Sequence, residues 1–168
     1  MTKLLLALHV IAAIVAVGPV TVAASMFPPA ARRALAAPDD AGAASTVRLL
    51  YRICQVYAFA GVAVPVFGLA TAGQMGVLGS AWLIVSIALT ALAAVVLGAL
   101  VLPRQGRLAE QLETVTARAS SSAVTTNAVV APSREATVRL AMYTGVFNLL
   151  WAAVTVLMIV RPGSTTGA

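Results

Sequence analysis

Four apolar runs, each long enough to cross a bilayer, constrain this chain more than any other feature. About 20 helical residues cross the hydrocarbon, and apolar runs of 18 or more are candidates for doing so. The runs are residues 4–26, 47–72, 81–102 and 138–160. The first holds one ionisable residue, His9, and the second carries Arg48 and Arg52 in its first two turns. The third has no charge, and the fourth has only Arg139. In lipid each backbone polar group needs an internal partner, so a spanning segment is a helix or part of a closed barrel. Barrel strands alternate over about ten residues, and these runs do not alternate. The expected fold is therefore all-α: a four-helix transmembrane bundle forming one integral membrane domain over residues 1–168.

Composition narrows the function classes. Charged residues make up 10% of the chain and hydrophobic ones 61%. A soluble domain carries about 25% charged residues, so an ordinary soluble enzyme is excluded. A single cysteine, Cys54, excludes a disulfide framework or a cysteine-based zinc site within one chain.

The connections differ in kind. Residues 27–46 contain Pro28, Pro29, Arg32, Arg33, Asp39 and Asp40 and read as a short polar loop. Residues 73–80 (GQMGVLGS) form a tight uncharged turn, so the second and third helices make a hairpin. Residues 103–137 are the long connection. Its RLAEQLETVTARA stretch reads as a helical extension at the membrane surface. SSSAVTTNAVVAPS has no period and reads as flexible. Ser133 is placed as N-cap of the fourth helix, with Glu135 near its positive end. Gly18-Pro19 and Pro65 fall at mid-span, where a proline bends a helix; packing is the favoured reading, a cavity or gate the other.

Orientation follows from the cations. Nine of the eleven Lys and Arg residues lie in the first and third connections or beside them, and two, Lys3 and Arg161, lie at the opposite ends of the helices. The positive-inside rule then puts both termini outside and the long loop 103–137 in the cytoplasm. Trp82, Tyr51 and Tyr143 fall where an aromatic belt would place them. The rival is a cleaved secretory signal ending near Ala23-Ala24. It would strand Arg32 and Arg33 outside and spoil the charge bias. The net charge of +6 is read as contact with anionic lipid heads rather than nucleic acid, since no aromatic-interleaved basic patch exists.

His9 is the candidate site residue, because an ionisable group inside a span is a functional-site hypothesis by default. Histidine ligates haem or metal or relays protons. The bland reading is a hydrogen bond to a hydroxyl at similar depth: Thr71, Ser86 or Thr155. Met1, Met75 and Met158 share its side of the bundle, and a His/Met set suits haem or Cu(I). His9, Met75 and Met158 are therefore the candidate cofactor-binding residues. Asn148 is expected to bond another helix near Thr90. Small residues four apart, Ala12 with Ala16, Gly68 with Ala72, Ala94 with Gly98 and Ala141 with Gly145, permit close helix approach. No span contains a carboxylate, which argues against the usual proton-coupled transport.

The opening Leu4-Leu5-Leu6-Ala7-Leu8-His9-Val10-Ile11-Ala12-Ala13, followed by Val17-Gly18-Pro19, resembles the start of the predicted integral membrane proteins called domain-of-unknown-function family 2269. That family is similar to copper-resistance protein D and to a membrane protoporphyrinogen oxidase, which place a histidine in such a helix, linked in the oxidase to haem. His9 is the residue that maps. The wider group often has a tryptophan before the glycine, where this chain has Ile14-Val15-Ala16-Val17. The resemblance, with the alanine bias, implies a bacterial inner membrane. With so few catalytic side chains, the expected function is a non-enzymatic accessory or structural subunit of a membrane assembly. Its partner would be a membrane protein or a second copy of the chain. The alternatives are a haem- or copper-binding protein using His9, and an oligomeric pore or small-molecule carrier.

Overall fold

The computed structural model describes residues 2–120 and 134–163. The described residues form helices and turns without a strand: α1 (Thr2–Ala36), α2 (Ala41–Ala60), α3 (Ala63–Met75), α4 (Ala81–Val95), a π-helical segment (Val96–Val101), α5 (Leu102–Ser120) and α6 (Arg134–Val160). They make four rods long and apolar enough to cross a membrane: Thr2–Ala36, Ala41–Met75, Ala81–Ala117 and Arg134–Val160. The stretch 120–133 and the proposed cap Ser133 lie outside the described residues or their described side chains, as does Met1.

The rods outrun the apolar runs. Thirty-five residues of α1 extend ~52 Å at ~1.5 Å per residue, against ~30 Å of hydrocarbon. The expected loop 27–46 shrinks to four residues, because α1 runs on through Pro28 and Pro29 to Ala36. Those prolines cost backbone hydrogen bonds. The loss is offset by packing: Phe27 and Ala31 are fully buried and Ala34 nearly so, in an alanine-rich stretch with high helix propensity. Helix α2 starts six residues before the apolar run because Asp40 caps it, its carboxylate accepting from the Ala43 N–H at 3.0 Å.

The third rod likewise does not stop at Leu102. Pro103 has no N–H to give the carbonyl four residues back, and its ring crowds that carbonyl. The backbone widens just before it, the Leu102 N–H reaching Leu97 O in the i to i−5 pattern, and the helix continues. Arg104 Nη1 donates to Leu100 O at 2.8 Å. The extension was expected to lie on the membrane surface. Instead α5 packs against α2, burying Gln105, Leu108, Ala109 and Leu112.

The hairpin is as expected. Gly76 ends α3 in the left-handed region (φ 68), and the Val77 N–H closes on Ala72 O at 3.2 Å. A break at Gly61-Val62 separates α2 from α3, four residues before Pro65.

Packing is uneven along the bundle. Helix α1 lies against α2, α3 and α6, α4 lies against α6, and α5 against α2. Helix α1 packs at most sparsely on α4, and α3 meets α4 mainly at the hairpin end. The main core therefore lies toward the arginine-rich end, around Phe27, Val47, Leu50, Cys54, Val101, Leu140 and Phe147. A small cluster of Ala72, Trp82 and Leu83, with Val77 and Met158 against it, closes the hairpin end.

Candidate functional site

Between these two clusters the rods splay and leave an apolar cleft of about 1340 Å³. Its walls are Leu6, His9, Val10 and Ile14 of α1, Pro65, Gly68 and Leu69 of α3, Ile87, Thr90, Ala91 and Ala94 of α4, and Trp151, Thr155 and Met158 of α6. Several wall residues, Val10, Ile14, Leu69 and Ile87 among them, are exposed, so the cleft is open rather than enclosed. The mid-span glycine and prolines bear on this: Gly18 and Pro65 both line the cleft.

His9 is held in one orientation. Its Nδ1 lies 2.9 Å from the carbonyl oxygen of Val64. A carbonyl only accepts, so Nδ1 donates, and in the uncharged form of the ring the lone pair is then on Nε2. The ring lies close against Gly68, where a Cβ would sit 2.9 Å from Cε1 and 3.1 Å from Nδ1. A glycine is required there by close approach. The expected hydroxyl partners are otherwise engaged. Thr71, Ser86 and Thr155 each donate to the carbonyl one turn back in their own helix. Val64 O takes their place.

The candidate cofactor-binding residues separate. His9 and Met158 line the same cleft. Met75 ends α3 beside the turn, exposed and off the cleft wall. Asn148 bonds across helices as expected but to another partner: its Nδ2 donates to Ser25 Oγ of α1 at 3.1 Å, while Thr90 donates to Ser86 O. At the arginine-rich end Arg48 pairs with Glu113 of α5 at 2.7 Å, so it ties α2 to α5. The hydroxyl end of Tyr51 lies close to Gly106, where a Cβ would meet its Oη at 2.8 Å.

Sequence reasoning missed one wall residue. Helix α6 ends at Val160, and Arg161 takes a left-handed φ of 44°, where glycine is the usual residue. That turn points the side chain back over the cleft end. Its Nε donates to Met158 O at 3.3 Å, and its guanidinium carbon stands 5.7 Å over the Trp82 ring. The Pro162-Gly163 that follows was the available signal.

The chemistry offered is narrow. The cleft wall has the His9 imidazole, the Thr90 and Thr155 hydroxyls, the Trp151 indole N–H, the Met158 thioether and one guanidinium. It has no Asp, Glu, Cys or Lys. Among the described residues no three His, Cys, Asp or Glu side chains gather as a metal site.

The model of a family described as "Predicted integral membrane protein (DUF2269)" matches residues 3–162. No curated protein and no solved structure matches the chain.

Proposed function

The chain belongs to this family of predicted integral membrane proteins, and on that premise we propose that it is a non-enzymatic membrane protein that holds a membrane-soluble ligand in the cleft beside His9. The observation that supports this is the fixed ring. Nδ1 donates to Val64 O, the ring stands close against Gly68, and Nε2 is left free of Val64 on an apolar wall. Largely apolar, preformed clefts with a few placed polar groups are the usual form of small-ligand sites. A wall without a carboxylate, thiol or amine lacks the paired acid and base, or activated nucleophile, that catalysis commonly needs. In a membrane assembly the protein would act as an accessory subunit that carries this ligand. The charge bias supports both termini outside a bacterial inner membrane, with residues 103–137 on the cytoplasmic side.

Haem or copper is the second reading, because His9 and Met158 line one cleft and together offer a nitrogen and a thioether donor. One experiment tests both. Protein purified in mild detergent is examined by native mass spectrometry, metal analysis and absorption, oxidised and dithionite-reduced. A bound organic mass lost in His9→Ala supports the ligand carrier. A Soret band or stoichiometric copper lost in the same variant makes this a redox or metal protein. A bare chain with a blank spectrum overturns both, and a co-purifying protein would then return the accessory-subunit role to the front.

A further inference from the structure

The charges around the cleft point to the class of ligand, given the reading above that the cleft holds one. All five acids of the chain, Asp39, Asp40, Glu110, Glu113 and Glu135, lie in the α1–α2 turn, in α5 or at the start of α6. That is the arginine-rich end. At the cleft end Arg161 therefore has no carboxylate partner among the described residues. Its Nε is used on Met158 O and its plane is steadied over Trp82. The two terminal nitrogens make no hydrogen bond among the described residues. The backbone is strained to put it there, since φ is 44° at a position that suits glycine. An oriented guanidinium without a carboxylate among the described residues, at the end of an apolar cleft, is a seat for an oxyanion.

The depth fits a lipid of one leaflet. From Arg161 to Trp151 the cleft follows ten residues of α6, ~15 Å at 1.5 Å per residue and half of ~30 Å of hydrocarbon. Helices α3 and α4 meet at the hairpin end, around Ala72, Trp82 and Leu83, and pack only sparsely beyond it, which gives an acyl chain a lateral way in. His9 Nε2 accepts and cannot donate in this tautomer, so the headgroup needs a hydroxyl as well as a charge. We propose that the cleft binds an anionic phospholipid whose headgroup carries a hydroxyl. Arg161 takes the phosphate, Nε2 accepts from the hydroxyl, and one chain lies along Leu69, Ile87 and Trp151.

Trp82 and Trp151 are the chain's two tryptophans, so Trp82→Phe leaves Trp151 as a reporter on the cleft wall and keeps a ring under Arg161. Should that variant fail to fold, Trp82→Tyr serves. The protein is placed in zwitterionic bilayers, and brominated phosphatidylglycerol, phosphatidic acid or phosphatidylethanolamine is titrated in. Phosphatidylglycerol is expected to quench Trp151 at about tenfold lower mole fraction than phosphatidylethanolamine. Arg161→Gln and Arg161→Gly should abolish that preference, the glycine variant while relieving the backbone. His9→Ala should remove the preference for phosphatidylglycerol over phosphatidic acid alone. Equal quenching by all three lipids overturns the anionic assignment and leaves the cleft reading standing. Trp151 shielded from every lipid, with or without a dimer in solution, overturns the lipid assignment and the open cleft together.

Discussion

Replacing Gly68 with alanine separates a histidine that is held from one that merely packs. The new Cβ would stand 2.9 Å from His9 Cε1 and 3.1 Å from Nδ1, so the ring has to leave its seat. It then gives up the 2.9 Å bond to Val64 O, worth about 1 kcal/mol net. Alanine in a helix interior gains about 1 kcal/mol over glycine. The two effects cancel, and Gly68→Ala should change stability by about 0 kcal/mol. Gly73, in the same helix with nothing within 4 Å of its Cβ position, is the reference. Gly73→Ala should gain about 1 kcal/mol. In a His9→Ala background nothing remains for the new Cβ to displace, so Gly68→Ala should there gain the same. The double-mutant cycle between positions 9 and 68 then returns a coupling of about 1 kcal/mol. Unfolding by SDS in mixed micelles, followed by circular dichroism, supplies the four free energies. If Gly68→Ala matches Gly73→Ala in the wild-type background, the ring is not seated on Gly68 and the reasoning fails.

Two further predictions concern the arginine-rich end. Gly106→Ala places a Cβ 2.8 Å from Tyr51 Oη and should cost about 1–3 kcal/mol as overpacking; adding Tyr51→Phe should recover most of it, and no recovery would show that the clash lies elsewhere. Gln105 is fully buried with Oε1 lacking a partner and Nε2 3.7 Å from Cys54 Sγ, so Gln105→Leu should stabilise by about 1 kcal/mol in the same unfolding assay, and a loss of that size would mean the amide is satisfied.

What the sequence made legible follows the strength of each signal. Apolar length located the four rods, and the uncharged stretch 73–80 (GQMGVLGS) marked the hairpin. Breaker signals misled at Pro28, Pro29 and Pro103, because a proline ends a helix only when nothing beyond it gains by continuing. Here Ala31 and Ala34 beyond the first pair, and Leu108 and Leu112 beyond the third, are core residues. His9 was legible as the one ionisable group in its span. Its partner was not, since a backbone carbonyl in another helix leaves no mark in composition. Gly68 was noticed only as half of a small-residue pair with Ala72, and the structure gives it a different task. Asn148 was read correctly as interhelical, while its partner depended on which helices are neighbours: α1 lies against α6, so Ser25 rather than Thr90 is within reach. The cleft was legible only as the less favoured reading of Gly18-Pro19 and Pro65, of which Gly18 and Pro65 line it; its extent was not, because it depends on two helices adjoining in sequence that meet mainly at their hairpin end.

The most direct test is ¹⁵N NMR of the wild-type protein in bilayers with labelled histidine. The chain holds one histidine, so the two ring signals need no assignment. The account predicts a proton on Nδ1, held by Val64 O, and an Nε2 resonance that shifts when phosphatidylglycerol is added. A proton on Nε2, or an Nε2 signal unmoved by any ligand, would contradict it.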